Sequence, residues 1–427
     1  MTNFILNENK QLSLAIEDEN IENFYIDGTD LVRKIIRRSG SGVTSRVPVL
    51  STQDLENKNL HELYDESWLR MKNRPNTELT TESINIADLF SGCGGLSLGV
   101  WEACRALGIN PRFSFACDLN EAALSVYEKN FSPDFSLNES IEKHINGELG
   151  APLTVEEQRI KDKVKKIDFI LAGPPCQGHS DLNNHTRRKD PRNALLMRVS
   201  RVIELFQPSS VLVENVPGII HDKSGSFKEF KNHLKTQGYY FDEIVLNAEK
   251  LGVSQARRRY FIFASKTPVS SLNQINEFYS TNSRPISWAI SDLVENVGDD
   301  IFNTASEHSL ENKRRIEYLF ENNLFELPNS ERPDCHRLKP HSYKSVYGRM
   351  YWDRPAPTIT RGFGSTGQGR FVHSLLKRTI TPHEAARIQF FPDFFNFGDL
   401  RRRQYQDVIG NAVPSKLSYL LALHQLR

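Results

Sequence analysis

The sequence predicts an open α/β domain with its ligand at the carboxyl ends of the strands. Three observations predict it. The strand-like run Ile84-Asn85-Ile86-Ala87-Asp88-Leu89-Phe90 enters a glycine turn, Ser91-Gly92-Cys93-Gly94-Gly95, and then a helical stretch to about Leu107. A second apolar run, Ile167 to Ala172, is stopped by Gly173-Pro174-Pro175, since two prolines can neither continue a ladder nor donate to it. A polar stretch with scattered aromatics, residues 266–350, then separates this domain from the C-terminal motifs, which fits a second, smaller domain.

Composition bounds the rest. The 427 residues suffice for one large and one smaller domain, or two to three units. Hydrophobic content of 38% and charged content of 25% fit a soluble globular protein. No apolar run reaches membrane-spanning length, and Met1-Thr2-Asn3-Phe4 lacks a signal-peptide layout, so no membrane role is expected. The formal net charge is +1, so any nucleic-acid contact must come from local basic patches. Cys93, Cys104, Cys117, Cys176 and Cys335 are odd in number and lack metal-site spacing. That argues against a disulfide framework or a zinc site, and for a reducing cytoplasm.

Residues 1–80 are the least informative, and no role is assigned to them. Phe4-Ile5-Leu6 and Leu12 to Ile16 flank Asn7-Glu8-Asn9-Lys10 as a hairpin. The basic run Arg33-Lys34-Ile35-Ile36-Arg37-Arg38 reads as a solvated charged face, with nucleic-acid contact as the alternative.

The glycine turn suits close backbone approach to a ligand, although many tight turns need glycine for geometry alone. It has no phosphate lysine and no Walker spacing, which disfavours ATP. Asp118 ends the next strand, Phe113 to Cys117, about two dozen residues beyond the glycines. There it can accept both ribose hydroxyls of an adenosyl cofactor, or cap the helix Glu121–Lys129.

Pro175 fixes the backbone before Cys176 and makes the loop stiff. A free cysteine is usually a small buried hydrophobe, but at this strand end it is a candidate nucleophile. The following Arg187-Arg188-Lys189-Asp190-Pro191-Arg192-Asn193 suits a phosphate backbone, or is simply a capped, solvated loop. Glu214 ends the strand Ser210–Val213. Partial desolvation there would raise its pKa and let it donate to a ring nitrogen. In Gln255-Ala256-Arg257-Arg258-Arg259, alternate positions share a face, so Arg257 and Arg259 point the same way. Arginine forks suit a carbonyl oxygen, a carboxylate or a phosphate. Arg337, Lys339, His341, Tyr343, Lys344 and Arg349 form a basic and aromatic cluster suited to DNA. Gly362 to Gly369 reads as a flexible loop. Thr381, Pro382 and Glu384 read as the N-cap, first and third positions of a helix.

Six segments, in order, resemble the DNA cytosine-5 methyltransferase family. Asp88-Leu89-Phe90-Ser91-Gly92-Cys93-Gly94-Gly95 looks like its S-adenosylmethionine loop, and Gly173-Pro174-Pro175-Cys176-Gln177-Gly178 like its nucleophile loop, with His179 where an aromatic usually precedes the serine. Glu214-Asn215-Val216, Gln255-x-Arg257-x-Arg259, Arg354-Pro355-Ala356-Pro357-Thr358-Ile359-Thr360 and Gly410-Asn411-Ala412-Val413-Pro414 match later motifs. The resemblance spans residues 84–424 or so.

It implies a doubly wound Rossmann-like sheet with helices on both faces and a smaller inserted target-recognition domain. The implied division is 1–80 as an N-terminal extension, 81–265 as the catalytic domain, 266–350 as the target-recognition domain and 351–427 as motifs returning to the catalytic domain. It also implies methyl transfer from S-adenosylmethionine to carbon 5 of a flipped cytosine. Cys176 would be the nucleophile, its pKa lowered by nearby arginines. Glu214 would contact ring nitrogen 3, and Arg257 or Arg259 the base oxygen or a phosphate. Phe90, Ser91, Gly92, Gly94, Gly95, Asp118, Pro175 and Asn411 would hold the cofactor, and Asn138 or Ser140 would contact adenine. Gln255 would join Arg337, Lys339, Tyr343, Lys344 and Arg349 in contacting DNA. The implied partner is double-stranded DNA, methylated by a cytoplasmic monomer, either alone or beside a separately acting restriction endonuclease. A transfer-RNA methyltransferase and an inactive DNA-binding module are the rival readings. The size of the intervening region counts against the first, and the presence of Cys176, Glu214 and both arginines against the second.

Overall fold

The computed structural model describes residues 4–7, 11–14, 22–50, 59–76, 82–175, 195–222, 224–295, 298–338 and 345–427. The chain opens with a five-stranded antiparallel meander: β1 (Phe4–Asn7), β2 (Gln11–Leu14), β3 (Glu22–Asp27), β4 (Asp30–Ile36) and β5 (Gly42–Pro48). Strands β1 and β2 are the expected hairpin, with Phe4 opposite Leu14. Helix α1 (Leu60–Arg70) follows, its first turn capped by Asn59. Phe24, Leu31, Ile35 and Val47 of the meander pack with Leu63, Tyr64 and Trp68 of α1, continuous with the core of the large domain.

The basic run is not uniformly a solvated face: Arg38 is exposed, but its first member is closed to nucleic acid. Arg33 is only 3% exposed. Its guanidinium donates to Glu102 and to the Tyr419 hydroxyl, each at 2.8 Å. A planar fork with five donors serves several buried acceptors at once, which explains an arginine at this junction.

The large domain is built on seven strands. Its elements run β6 (Ser83–Leu89), α2 (Gly95–Leu107), β7 (Asn110–Cys117), α3 (Glu121–Phe131), β8 (Phe135–Leu137), α4 (Val155–Val164), β9 (Phe169–Ala172), α5 (Leu195–Phe206), β10 (Ser210–Asn215), α6 (Ser226–Thr236), β11 (Tyr240–Asn247), β12 (Gln255–Ala256) and β13 (Arg258–Ser265). The sheet order is β11-β13-β10-β9-β6-β7-β8. Strands β6 to β10 are mutually parallel, and β13 runs antiparallel to both of its neighbours. The chain starts in the middle at β6, builds outward to β8, then returns to build β9 and β10 on the other side. The order reverses between β6 and β9, where open sheets of this kind bind ligands.

Alternation sorts the strand residues onto two faces. Ile86, Phe113, Phe169, Leu171 and Leu212 join the core with α2 and α3. Ala87, Leu89, Phe115, Ile170, Val211 and Val213 join the core with α4, α5 and α6. Both faces are therefore covered, and the fold is the Rossmann-like doubly wound one.

Beyond β13 come α7 (Asn273–Tyr279), α8 (Ile286–Ile290), α9 (Leu310–Glu321), α10 (Asp334–Arg337), β14 (Ala356–Pro357), α11 (Pro382–Ile388), α12 (Arg402–Asn411) and α13 (Ser415–Leu426). Leu272, Ile275, Ile286 and Trp288, in and beside α7 and α8, lie in the large core. A separate small core gathers Ile316, Leu319, Leu327, Val346, Tyr347 and Val372. The Ile286 N–H donates to the Arg354 carbonyl at 2.9 Å, and that of Ser287 to Trp352 at 3.2 Å. The glycine-rich segment after Arg361 is packed, not loose. Phe363 and Thr366 are buried, and the Ser365 N–H donates to the Gly362 carbonyl. Helix α11 carries the expected capping box of Thr381 and Glu384, and α13 returns to lie along α2.

Candidate active site

The site is assembled at the carboxyl ends of β6, β7, β9 and β10. Leaving β6, Phe90 turns with φ of 59°, a conformation that L-residues adopt only where the surroundings impose it. The Ser91 N–H donates to Cys117 at the end of β7 at 3.0 Å, and that of Gly92 to the Asp118 carboxylate at 2.7 Å. The left-handed Gly94 (φ 93°) caps α2. A methyl on it would collide with the Phe131 ring, so glycine is required there by approach as well as by conformation. A methyl on Gly95 would fall 2.5 Å from the Val413 carbonyl, which ties the glycine loop to the segment after Asn411.

Asp118 does not cap α3; Asn120 does, accepting from the Ala123 N–H. Asp118 instead holds the loop through Gly92 while its other oxygen accepts from Asn120. Burial pushes its carboxyl up, against the pull of those two amides. Asn138 is exposed beside it and donates to the Asp118 carbonyl at 2.9 Å. Ser140 bonds Glu142 instead.

Asp88, in the same loop motif, is fully buried and takes the Ser97 hydroxyl at 2.6 Å. Burial pushes it up to about 7. Its second oxygen has no hydrogen-bond partner among the described residues. The motif was legible, but this buried carboxyl was not singled out.

On the other side of the switch, β9 runs into Gly173, whose N–H donates to the Leu89 carbonyl at 3.1 Å. A methyl on Gly173 would lie 3.7 Å from Glu214 Oε2 and 3.8 Å from the Phe90 carbonyl. Three motifs therefore converge on one point. Pro174 is buried and Pro175 half-buried. Cys176 and the basic residues 187–193 lie outside the described residues, as do Lys339, His341, Tyr343 and Lys344.

Glu214 is 8% exposed. Its Oε1 lies 2.8 Å from Arg259 Nε. Burial pushes the carboxyl up, opposed by the charges of Arg259 and Arg257. The expected alternation holds: Gln255 and Arg257 are buried, Ala256 and Arg258 exposed, Arg259 half-buried. The arginines differ in what they can still do. Arg257 is 2% exposed and donates to the Ile359 carbonyl at 2.8 Å. Arg259 is half-buried, paired with Glu214 and donating to the Arg258 carbonyl at 2.8 Å.

Gln255 is corrected as a DNA contact. It is fully buried, accepting from the Ile359 N–H at 2.9 Å and donating to Gln389 at 3.1 Å. Both ends of its amide are spent joining β12 to the segment after β14. Gln389 is the partner that residue-by-residue reading missed. Arg349 is half-buried, donating to the Ser374 carbonyl at 2.8 Å and lying 4.0 Å over the Phe320 ring. It packs the small core and is not presented outward. Arg337 is exposed on α10 and pairs with Asp334. Asn411 is exposed at the end of α12.

A doubly wound sheet with an acid after β7, a glycine turn after β6 and a carboxylate–arginine pair after β10 defines a nucleotide-cofactor enzyme of the methyltransferase type. The chain belongs to the C-5 cytosine-specific DNA methylase family, whose model matches residues 84–424. It is 30% identical over 348 residues to the type II methylase M.HgiDII of Herpetosiphon aurantiacus, covering 79% of this chain and 93% of that one. It is 29% identical over 386 residues to the type II methyltransferase M.DdeI of Desulfomicrobium norvegicum, covering 79% and 88%. Among solved structures, the S. pombe Dnmt2 methyltransferase superposes with a TM-score of 0.55 at 18% identity, covering 80% of this chain and 98% of that one. The protein is a DNA cytosine-5 methyltransferase. Among the described residues no helix is long and apolar enough to cross a membrane.

Proposed function

We propose that Cys176 and Glu214 act on opposite sides of one cytosine ring, and that the protein methylates a flipped base within a specific double-stranded DNA sequence. The supporting observation is the convergence of Gly173, Phe90 and the buried Glu214–Arg259 pair. Cys176 follows Gly173 by three residues, a chain reach of roughly 10 Å.

The residues of the glycine turn fit S-adenosylmethionine: Asp118 for the ribose hydroxyls, the half-exposed Phe90 ring for adenine, and Ser91, Gly92, Gly94, Gly95, Pro175 and Asn411 around the rest. Bound there, the cofactor supplies an electrophilic methyl group. Carbon 5 of cytosine is too weak a nucleophile to take it unaided. Addition of the Cys176 thiolate to carbon 6 forms a carbon–sulfur bond and moves the ring π electrons toward carbon 5. Glu214, whose carboxyl burial pushes up against the pull of Arg259 and Arg257, is placed to hold a proton against ring nitrogen 3 and stabilise the charge that develops there. Arg259 orients Glu214 and faces the base oxygen or a flanking phosphate. Carbon 5 would take the methyl, leaving the cofactor's sulfur as a neutral thioether, and loss of the carbon-5 proton to a base would then expel the thiolate and restore the ring. A duplex hides carbons 5 and 6 from such a pocket, so the base must leave the stack.

Sequence choice would reside in the small lobe within residues 266–350, with Arg337, Lys339, Tyr343 and Lys344 as the DNA-facing side chains. The protein would act as a cytoplasmic monomer, alone or beside a separate endonuclease. Bisulfite sequencing of DNA from cells expressing the protein tests this reading, with methyl transfer from labelled cofactor to DNA and to transfer RNA measured in parallel. Protected cytosines at one recurrent sequence are expected. Transfer to transfer RNA alone would overturn it.

A further inference from the structure

The family match begins at residue 84, so the N-terminal meander and α1 are an addition to the methyltransferase core. The addition grips that core at several places. At the amino edge of the sheet, Arg37 pairs with Glu82 at 2.8 Å, just before β6 begins. That edge is opposite the one carrying the active site.

From there α1 reaches α13. Asp65 Oδ1 is 2.7 Å from Lys416 Nζ, and Oδ2 is 2.8 Å from Arg284 Nη1. All three side chains are buried. Nearby, Trp68 stacks on Phe390 with ring centroids 5.4 Å apart.

Both contacts fall directly beside site-forming residues. Lys416 is in the first turn of α13, three residues past Val413, whose carbonyl lies against Gly95 of the cofactor loop. The Phe390 carbonyl accepts from Ser415 Oγ at 2.6 Å, and the preceding residue, Gln389, holds Gln255. Arg33, Tyr64, Asp65, Lys416 and Tyr419 line a small cavity of about 10 Å³ at the junction, at the lower limit for one water. It is therefore a joint, with no room for a further ligand.

We propose that Asp65 and Trp68 are positioning residues for the cofactor site, holding the Asn411–Pro414 segment against the Gly94–Gly95 turn through Lys416 and Phe390. The inference rests on the reading that S-adenosylmethionine binds at that turn. The N-terminal addition thus serves cofactor affinity.

The test uses the full-length protein carrying Asp65→Asn, Asp65→Glu or Trp68→Phe. Cofactor dissociation constants come from calorimetry without DNA, and DNA affinity and kcat are measured separately. Asp65→Asn is expected to weaken S-adenosylmethionine binding roughly tenfold, as small displacements at a binding site do, while DNA affinity and kcat at saturating cofactor stay near wild type. Asp65→Glu should recover most of the loss. A lowered melting temperature with unchanged cofactor affinity would overturn the proposal, as would equal weakening of cofactor and DNA. If Asp65→Asn does not fold, Trp68→Phe decides by the same comparison. Failure of the wild-type protein to bind S-adenosylmethionine would instead overturn the assignment of the cofactor site itself.

Discussion

Glu214 and Arg259 form a half-shielded ion pair at the carboxyl end of β10, Oε1 to Nε at 2.8 Å, with Arg257 a second, fully buried charge close behind. Burial pushes the Glu214 carboxyl up and the two guanidinium groups pull it back. Arg259 thus aims the acid while burial keeps its proton within reach.

Glu214→Gln keeps a donor for ring nitrogen 3 and removes the titration. Single-turnover methyl transfer should slow by roughly 10²–10³, the usual cost of a lost charge-stabilising group, with DNA affinity little changed. The wild-type rate should fall as pH rises through the Glu214 pKa, and that limb should vanish in the variant. A collapse of DNA affinity with unchanged chemistry would make Glu214 a structural residue.

Cys176→Ser should abolish methyl transfer, since an alkoxide forms far less readily than a thiolate at neutral pH, while S-adenosylmethionine still binds. With 5-fluorocytosine at the target, the carbon-5 substituent cannot leave as a proton, so the adduct through Cys176 should persist on a denaturing gel. Its formation should require both the cofactor and the thiol. Appreciable turnover by the serine variant would remove Cys176 from the chemistry.

Two arginines of the small lobe should separate cleanly. Arg337 is exposed, and its alanine variant should weaken DNA binding and lower the salt slope by about 1 without moving the melting temperature. Arg349 is engaged with Ser374 and Phe320, and its loss should cost about 1–3 kcal/mol of stability. Salt titrations of DNA binding and thermal melts of both variants make the comparison. Reversed outcomes would reassign them.

Asp88 should leave a mark on stability against pH. Burial pushes its carboxyl up to about 7 from the ordinary 3.8, so the native state keeps a proton that the unfolded chain releases. The stabilisation is whole below the lower value and is lost as pH rises through the upper one. Between them this group should contribute a decline of up to about 1.4 kcal/mol per pH unit. Urea unfolding of the cofactor-free protein across that range should show the decline, and Asp88→Asn should flatten it. An identical slope in both proteins would mean that Asp88 ionises normally.

What could be read beforehand follows from how local each signal is. The strand, glycine turn and helix at 84–107 and the Thr381–Glu384 box are set within a few residues and stand as expected. Asp118 stands at the expected strand end, against the glycine turn, because both signals are local. Arg33 could not be understood this way, since its partners Glu102 and Tyr419 are 69 and 386 positions away. Gln255 shows the opposite difficulty. Its motif is plain, but an alternating pattern gives which residues share a face, not whether that face meets DNA or the protein's own Gln389.

The two hydrogen bonds from Ile286 and Ser287 to Arg354 and Trp352 fasten the outgoing chain beside the incoming one, like the neck of a bag. Parts of the intervening chain that do not pack on the large core, as Trp288 and Leu293 do, can change length or content while the neck keeps its shape. The entropy of a closed loop grows only with the logarithm of its length, about 0.6 kcal/mol per doubling. If target choice resides in the small lobe, as proposed above, a lineage could exchange much of it and keep its chemistry running, so that a new target sequence would come with a cassette and not with revision of the catalytic body.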